Sequence, residues 1–63
     1  MPIVTIKMYE GRSPEQKRAL VKEVTDAVVR TTGATPEGTI VVIEDIKREH
    51  WSAAGVLASE AKK

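Results

Sequence analysis

The sequence contains no cysteine and a single histidine. The first absence excludes disulfides, thiolate metal sites and a cysteine nucleophile. With only His50 to offer an imidazole, a histidine-rich metal site is excluded as well. Aromatic residues are almost lacking: Tyr9 and Trp51 are the whole set, so there is no platform of rings on which nucleic-acid bases stack. Neither sign of charge dominates, since ten Lys and Arg stand against nine Asp and Glu for a net charge of +1. Like charges never run beyond adjacent pairs, which speaks against a nucleic-acid groove or a polybasic membrane patch. No apolar stretch approaches the about 18 residues of a membrane span. No basic segment followed by a long apolar run marks a secretory signal. The expectation is a soluble cytoplasmic protein with a small-molecule partner, no nucleic acid and no membrane.

What is present is short: 63 residues, read as one domain over 1–63. A chain of this size buries only about 60% of the surface its unfolded form exposes, so it needs further stabilisation. Disulfides, metals and oligomerisation are the usual sources, and the composition leaves oligomerisation.

Pro2 to Tyr9 (PIVTIKMY) alternates with period two, with Val4, Ile6 and Met8 on one face and Thr5, Lys7 and Tyr9 on the other. Ile3 is the apolar exception. β-Branched residues dominate the segment, which reads as a strand with Pro2 at its first position, where no ladder donor is needed. Glu10-Gly11-Arg12 turns the chain. Ser13-Pro14-Glu15-Gln16 then opens a helix, with Ser13 as N-cap, Pro14 at the first helical position and Gln16 closing a capping box. Leu20, Val21, Val24, Ala27, Val28 and Thr31 recur at helical spacing opposite Glu15, Arg18, Lys22, Asp26 and Arg30. The spacing predicts an amphipathic helix of roughly five turns that ends at Gly33, its charges forming a solvated face. Ala34 to Gly38 is a polar turn. Thr39 to Ile43 (TIVVI) is a continuous β-branched run, predicted to be a strand buried on both faces. Glu44 to His50 reads as charged and irregular with a short helical turn, and Trp51 to Lys63 as a short hairpin or an arm, its Lys62-Lys63 end frayed.

Strand, helix and strand in this order make an α/β (α+β) architecture, a single βαβ unit with parallel strands and a right-handed crossover. Two strands under one helix keep two open edges and an uncovered face, which carries Ile3 and half of the second strand. Pairing of strands between chains and packing of sheets against each other would bury both. The pattern therefore predicts an oligomer.

Pro2 directly after the initiator Met, the segment Tyr9-Glu10-Gly11-Arg12-Ser13, the helix opening Pro14-Glu15-Gln16-Lys17 and the βαβ length together resemble the 4-oxalocrotonate tautomerase family, over essentially the whole chain. The resemblance implies a hexamer built as a trimer of dimers, each dimer holding a four-stranded sheet with two helices on one side. It also implies keto–enol isomerisation of 2-hydroxydienoates and related 2-oxo acids in the breakdown of aromatic compounds, without metal or organic cofactor. The base would be the nitrogen of Pro2, freed by removal of Met1.

The chemistry suits these residues. Moving a proton between oxygen and a distant carbon calls for a base whose pKa lies near neutrality. An N-terminal amine meets that need when apolar walls and a neighbouring cation disfavour its protonated form. Ile3, Ile40 and Trp51 are candidates for the walls and Arg12 for the cation. The proline ring limits the motion of the lone pair. Arg12 also offers a planar fork for a carboxylate, and by the family analogy it holds the one remote from the 2-oxo group, drawing negative charge toward itself. Trp51 stands where the family carries an aromatic wall, usually Phe. Many family members place a second arginine at the start of the second strand to hold the 2-oxo acid end. Here that position falls on Ile40 or its neighbours Thr39 and Val41, none of them basic, which leaves Lys47, Arg48, backbone N–H groups or ordered water.

Taken alone, Pro2 is a strand-start residue, Arg12 a solvated turn residue and Trp51 a packing anchor; their combination supports the catalytic reading. His50 reads as structural, and Lys7 and Tyr9 as lining a pocket or a subunit contact. Two rivals accompany this reading. Addition of water to an activated double or triple bond, as in dehalogenating relatives, wants Pro2 protonated and a carboxylate to activate water, and no carboxylate is singled out. A non-catalytic oligomeric module would follow from retained Met1, because an acylated Pro2 nitrogen has no basic lone pair.

Overall fold

The computed structural model describes residues 1–61; the expected fraying of Lys62 and Lys63 lies outside the described residues. Strand β1 (Ile3–Tyr9) leads into helix α1 (Pro14–Thr32), which crosses back to strand β2 (Ile40–Ile46). A single 3-10 turn (Arg48–His50) and a two-stranded hairpin, β3 (Ser52–Ala53) and β4 (Val56–Leu57), complete the described chain. β1 and β2 are parallel, in a register that runs from Ile3 opposite Ile40 to Tyr9 opposite Ile46. The ladder extends past both ends: Ile40 N–H donates to the Pro2 carbonyl and Glu10 N–H to the Ile46 carbonyl, each at 3.0 Å.

The helix begins where its capping residues stand. Ser13 is extended (φ −74°, ψ 160°), its hydroxyl accepts from Gln16 N–H at 3.2 Å, and its own N–H donates to Gln16 Oε1 at 2.8 Å. Both halves of the capping box are thus closed, satisfying donors that a helix start otherwise leaves free. At the far end Gly33 N–H donates to the Val29 carbonyl at 3.0 Å. Replacing Ser13 with alanine removes the acceptor for Gln16 N–H and is expected to cost about 1 kcal/mol. Chemical unfolding at fixed protein concentration reads that loss directly.

Leu20, Val24 and Val28 of α1 are half-buried, as are Val4, Ile6 and Met8 of β1 and Val41 and Ile43 of β2. Apolar matching between one helix stripe and one sheet face makes the centre of the single chain's core. No apolar side chain among the described residues is fully withdrawn from solvent. The chain exposes 4991 Å² where a compact protein of its mass exposes about 4,000 Å². Its radius of gyration is 14.8 Å, against about 11 Å for a compact domain of this length.

β2 departs from expectation in two ways. It is not buried on both faces: Ile40 and Val42 are 40% and 41% exposed, because no second layer covers that side in a single chain. It also starts one residue later and runs on through Glu44–Ile46, which the sequence pattern assigned to irregular structure. The reason lies in β1, whose Lys7, Met8 and Tyr9 offer a ladder opposite Glu44, Asp45 and Ile46. Both acidic residues are accommodated by cations, Glu44 by Lys7 at 3.9 Å and Asp45 by Lys17 of the helix at 2.5 Å. Thr39, freed from the strand, is the buried residue of the preceding turn; its hydroxyl donates to the Thr35 carbonyl at 2.8 Å.

The tail takes the hairpin form. Ala54 (φ +54°) and Gly55 (φ +79°) both sit in the left-handed region between its strands, as a two-residue turn that follows strand twist requires.

Candidate active site

Pro2 stands at the head of β1, half-buried, its carbonyl engaged by Ile40 N–H. Ile40 is therefore its direct neighbour, and with Ile3 (66% exposed) it puts apolar surface beside the proline. Met1 precedes them at 89% exposure. The structure brings Pro2, Ile3 and Ile40 together.

Arg12 and Trp51 are not brought to them. Arg12 follows Gly11, whose φ of +112° lies in a region that side chains rarely adopt, so glycine is what lets the chain leave β1 at this angle. Arg12 is exposed and borders a shallow groove with Met8, Gln16 and Leu20. Trp51 packs on Tyr9, the last residue of β1. Seven strand residues, rising about 3.3 Å per step, separate the two ends by about 20 Å, beyond the reach of any side chain. In one chain, Pro2 cannot share a substrate with Arg12 or Trp51.

At that second end the fold assembles a cluster the sequence pattern did not single out. The Tyr9 and Trp51 rings lie 4.8 Å apart at 59°, a tilted aromatic pair. The Arg48 guanidinium carbon lies 4.1 Å from the Tyr9 ring centre, a cation–π contact worth about 0.5–1 kcal/mol at an exposed site. With Ala53, Val56 and Ala58 these three line a cleft of about 250 Å³. Trp51 is held by backbone on two sides: its N–H donates to the Arg48 carbonyl at 3.2 Å, and its carbonyl accepts from Ala58 N–H at 2.6 Å. Register explains Arg48. Tyr9 pairs with Ile46, and the tight turn beginning two residues later folds Arg48 back over the ring.

The remaining candidates lie outside the cleft. Lys7 spends its charge on Glu44 across the open sheet face. His50 is exposed in the 3-10 turn, its N–H donating to the Lys47 carbonyl at 2.8 Å. Among the described residues no three His, Asp or Glu side chains converge as a metal site would need. Lys22, on the outer helix face, is raised above the ordinary lysine value by its hydrogen bond to Asp26 at 2.9 Å, a solvated pair remote from either end of β1.

The model of the family described as tautomerase enzyme matches residues 2–61. The chain belongs to this tautomerase family. It is 52% identical over 60 residues to the 2-hydroxymuconate tautomerase of Bacillus subtilis strain 168, a match covering 95% of this chain and 97% of that one. The crystal structure of a homologue of 4-oxalocrotonate tautomerase superimposes with a TM-score of 0.93 at 49% identity, over 97% of this chain and 100% of the other. A 4-oxalocrotonate tautomerase of Chloroflexus aurantiacus J-10-fl, described as a heterohexamer, aligns with a TM-score of 0.90 at 27% identity, over 98% and 100%. The βαβ unit with its C-terminal hairpin is thus a tautomerase fold, and relatives that bear tautomerase names support an isomerase.

Proposed function

We propose that this tautomerase-family chain, working as one domain over residues 1–63, interconverts the enol and keto forms of 2-oxo acids with the nitrogen of Pro2 as general base and no cofactor. The observation that carries the reading is the placing of Pro2. Its carbonyl is tied into the ladder by Ile40, so the ring is held at the sheet's end with its nitrogen directed away along the chain toward an exposed Met1. Removal of Met1 turns that nitrogen into a secondary amine with a lone pair and a fixed ring. In the reaction the amine takes the proton of the 2-hydroxyl group as the enol oxygen becomes a carbonyl. The double bonds shift along the conjugated chain, and the same nitrogen returns the proton to carbon. Arg12 holds the remote carboxylate and attracts the charge that develops, while Trp51 and Ile40 wall the substrate.

Because the two ends of β1 are too far apart within one chain, the site in this reading is completed by Arg12 and Trp51 of another copy. A homo-hexamer in the cytoplasm, a trimer of dimers with four-stranded sheets, is the assembly proposed. The excess exposed surface and the apolar strip of Ile3, Ile40 and Val42 support it. Replacing Val42 with aspartate would place a charge in the middle of that strip and is expected to shift sedimentation from the oligomer to smaller or unfolded species.

The pH–rate profile of phenylenolpyruvate ketonisation tests the chemistry, on protein whose intact mass lacks Met1. A base must be unprotonated, so kcat/KM is expected to rise with pH and level off once the amine is free. A rate that instead falls as the amine deprotonates would require the ammonium and overturn Pro2 as the base.

A further inference from the structure

The reading above leaves the 2-oxo acid end of the substrate without a partner, and the cleft at the far end of β1 holds a cation that faces no anion among the described residues. We propose that Arg48, braced on the Tyr9 ring beside Trp51, binds the carboxylate at the 2-oxo end and selects planar conjugated 2-oxo acids, aryl as well as dienyl. The identity of the acid rests on the tautomerase reading; the binding site itself does not.

Three observations converge on it. Arg48 forms no ion pair among the described residues, whereas Lys7, Lys17, Arg18 and Lys22 each face a carboxylate. Its guanidinium is nevertheless positioned, lying against the Tyr9 ring at 4.1 Å. A stacked guanidinium keeps its N–H edges free, and those edges match the two oxygens of a carboxylate. The rest of the lining is apolar or aromatic: two rings 4.8 Å apart, together with Ala53, Val56 and Ala58. One cation in a cleft otherwise lined by apolar and aromatic side chains is complementary to one carboxylate on an apolar conjugated body. Arg12, bordering a separate groove with Met8, remains available for a second, distal anion. A monocarboxylate with an aryl group would therefore engage Arg48 and leave Arg12 unused, whereas a dicarboxylic dienoate would use both.

The test separates charge recognition from packing. Calorimetric titration of the assembled protein with trans-cinnamate and with neutral trans-cinnamamide is performed on the native protein, Arg48→Gln and Arg48→Lys. Arg48→Gln is expected to weaken cinnamate about 10- to 100-fold, the range for losing a hydrogen-bonded charge partner, and to change cinnamamide less than about threefold. Arg48→Lys, which keeps the charge and loses the fork, should fall between. Equal weakening of both ligands would make Arg48 a packing residue only and overturn the proposal. Unchanged cinnamate affinity, or no binding of cinnamate by the native protein, would overturn it as well. The readout is binding and needs no turnover. Should protein that retains Met1 keep full activity, the reading of Pro2 falls while the Arg48 result stands.

Discussion

Pro2→Ala is expected to lower kcat/KM for phenylenolpyruvate by about 100-fold or more, and protein that retains Met1 by up to about 10,000-fold, the range a positioned general base contributes. The two differ because they remove different things. Alanine leaves a primary amine whose ordinary pKa of about 7.7–8.0 still suits a base, so its deficit measures the lost ring constraint. Retained Met1 turns the nitrogen into an amide and removes the lone pair altogether. Neither change should disturb the fold, because Pro2 contributes only its carbonyl to the ladder, and alanine offers the same acceptor to Ile40 N–H. Unaltered thermal unfolding beside the rate measurement confirms that point. Full activity in protein shown by mass to carry Met1 would end the proposal that this nitrogen is the base, and full activity in Pro2→Ala would show that the ring constraint adds nothing.

The fold was legible where local rules act alone. Ser13, Pro14 and Gln16 announce the helix start, Gly33 its end, and the alternation of Val4, Ile6 and Met8 the buried side of β1. Those signals are encoded within a few residues of the structure they produce. β2 was less legible beyond Ile43, because Glu44 and Asp45 belong to a strand only by virtue of Lys7, Lys17 and the β1 ladder, partners about 30 positions away in sequence. Misplacing that strand end also left Arg48, named only as one substitute for the second arginine, without a place in the fold. Its contact with Tyr9 depends on Tyr9 pairing with Ile46, so a β2 that stops at Ile43 does not bring Arg48 to that ring. Pro2, Ile40, Arg12 and Trp51 were legible as residue types, but not as a constellation. Period-two and helical patterns carry no information on which ends of which copies meet. The apolar strip of Ile3, Ile40 and Val42 was legible as a surplus, and the structure locates it on the sheet face opposite the helix.

Mixing variants should restore what each variant lacks. Pro2→Ala and Arg12→Gln, each made alone, are expected to be poor catalysts of 2-hydroxymuconate ketonisation, since every site lacks either the base or the carboxylate partner. Within one chain Pro2 precedes and Arg12 follows a seven-residue strand whose ends lie about 20 Å apart. A site using both must therefore draw Pro2 from one copy and Arg12 from another. Co-expression of the two variants yields mixed assemblies in which some interfaces join an intact Pro2 to an intact Arg12, and activity should recover to a sizeable fraction of native. A site confined to one chain predicts no recovery, because each chain would still carry one lesion in its own site. The double variant Pro2→Ala/Arg12→Gln mixed with native chains supplies the control. It can contribute neither half, so activity there should fall below the share of native chains present. Recovery in the first mixture with attrition in the second would locate the chemistry at the junction between copies. It would also explain why a chain this small exposes so much apolar surface: the face that lacks a layer belongs to the assembly that completes the site.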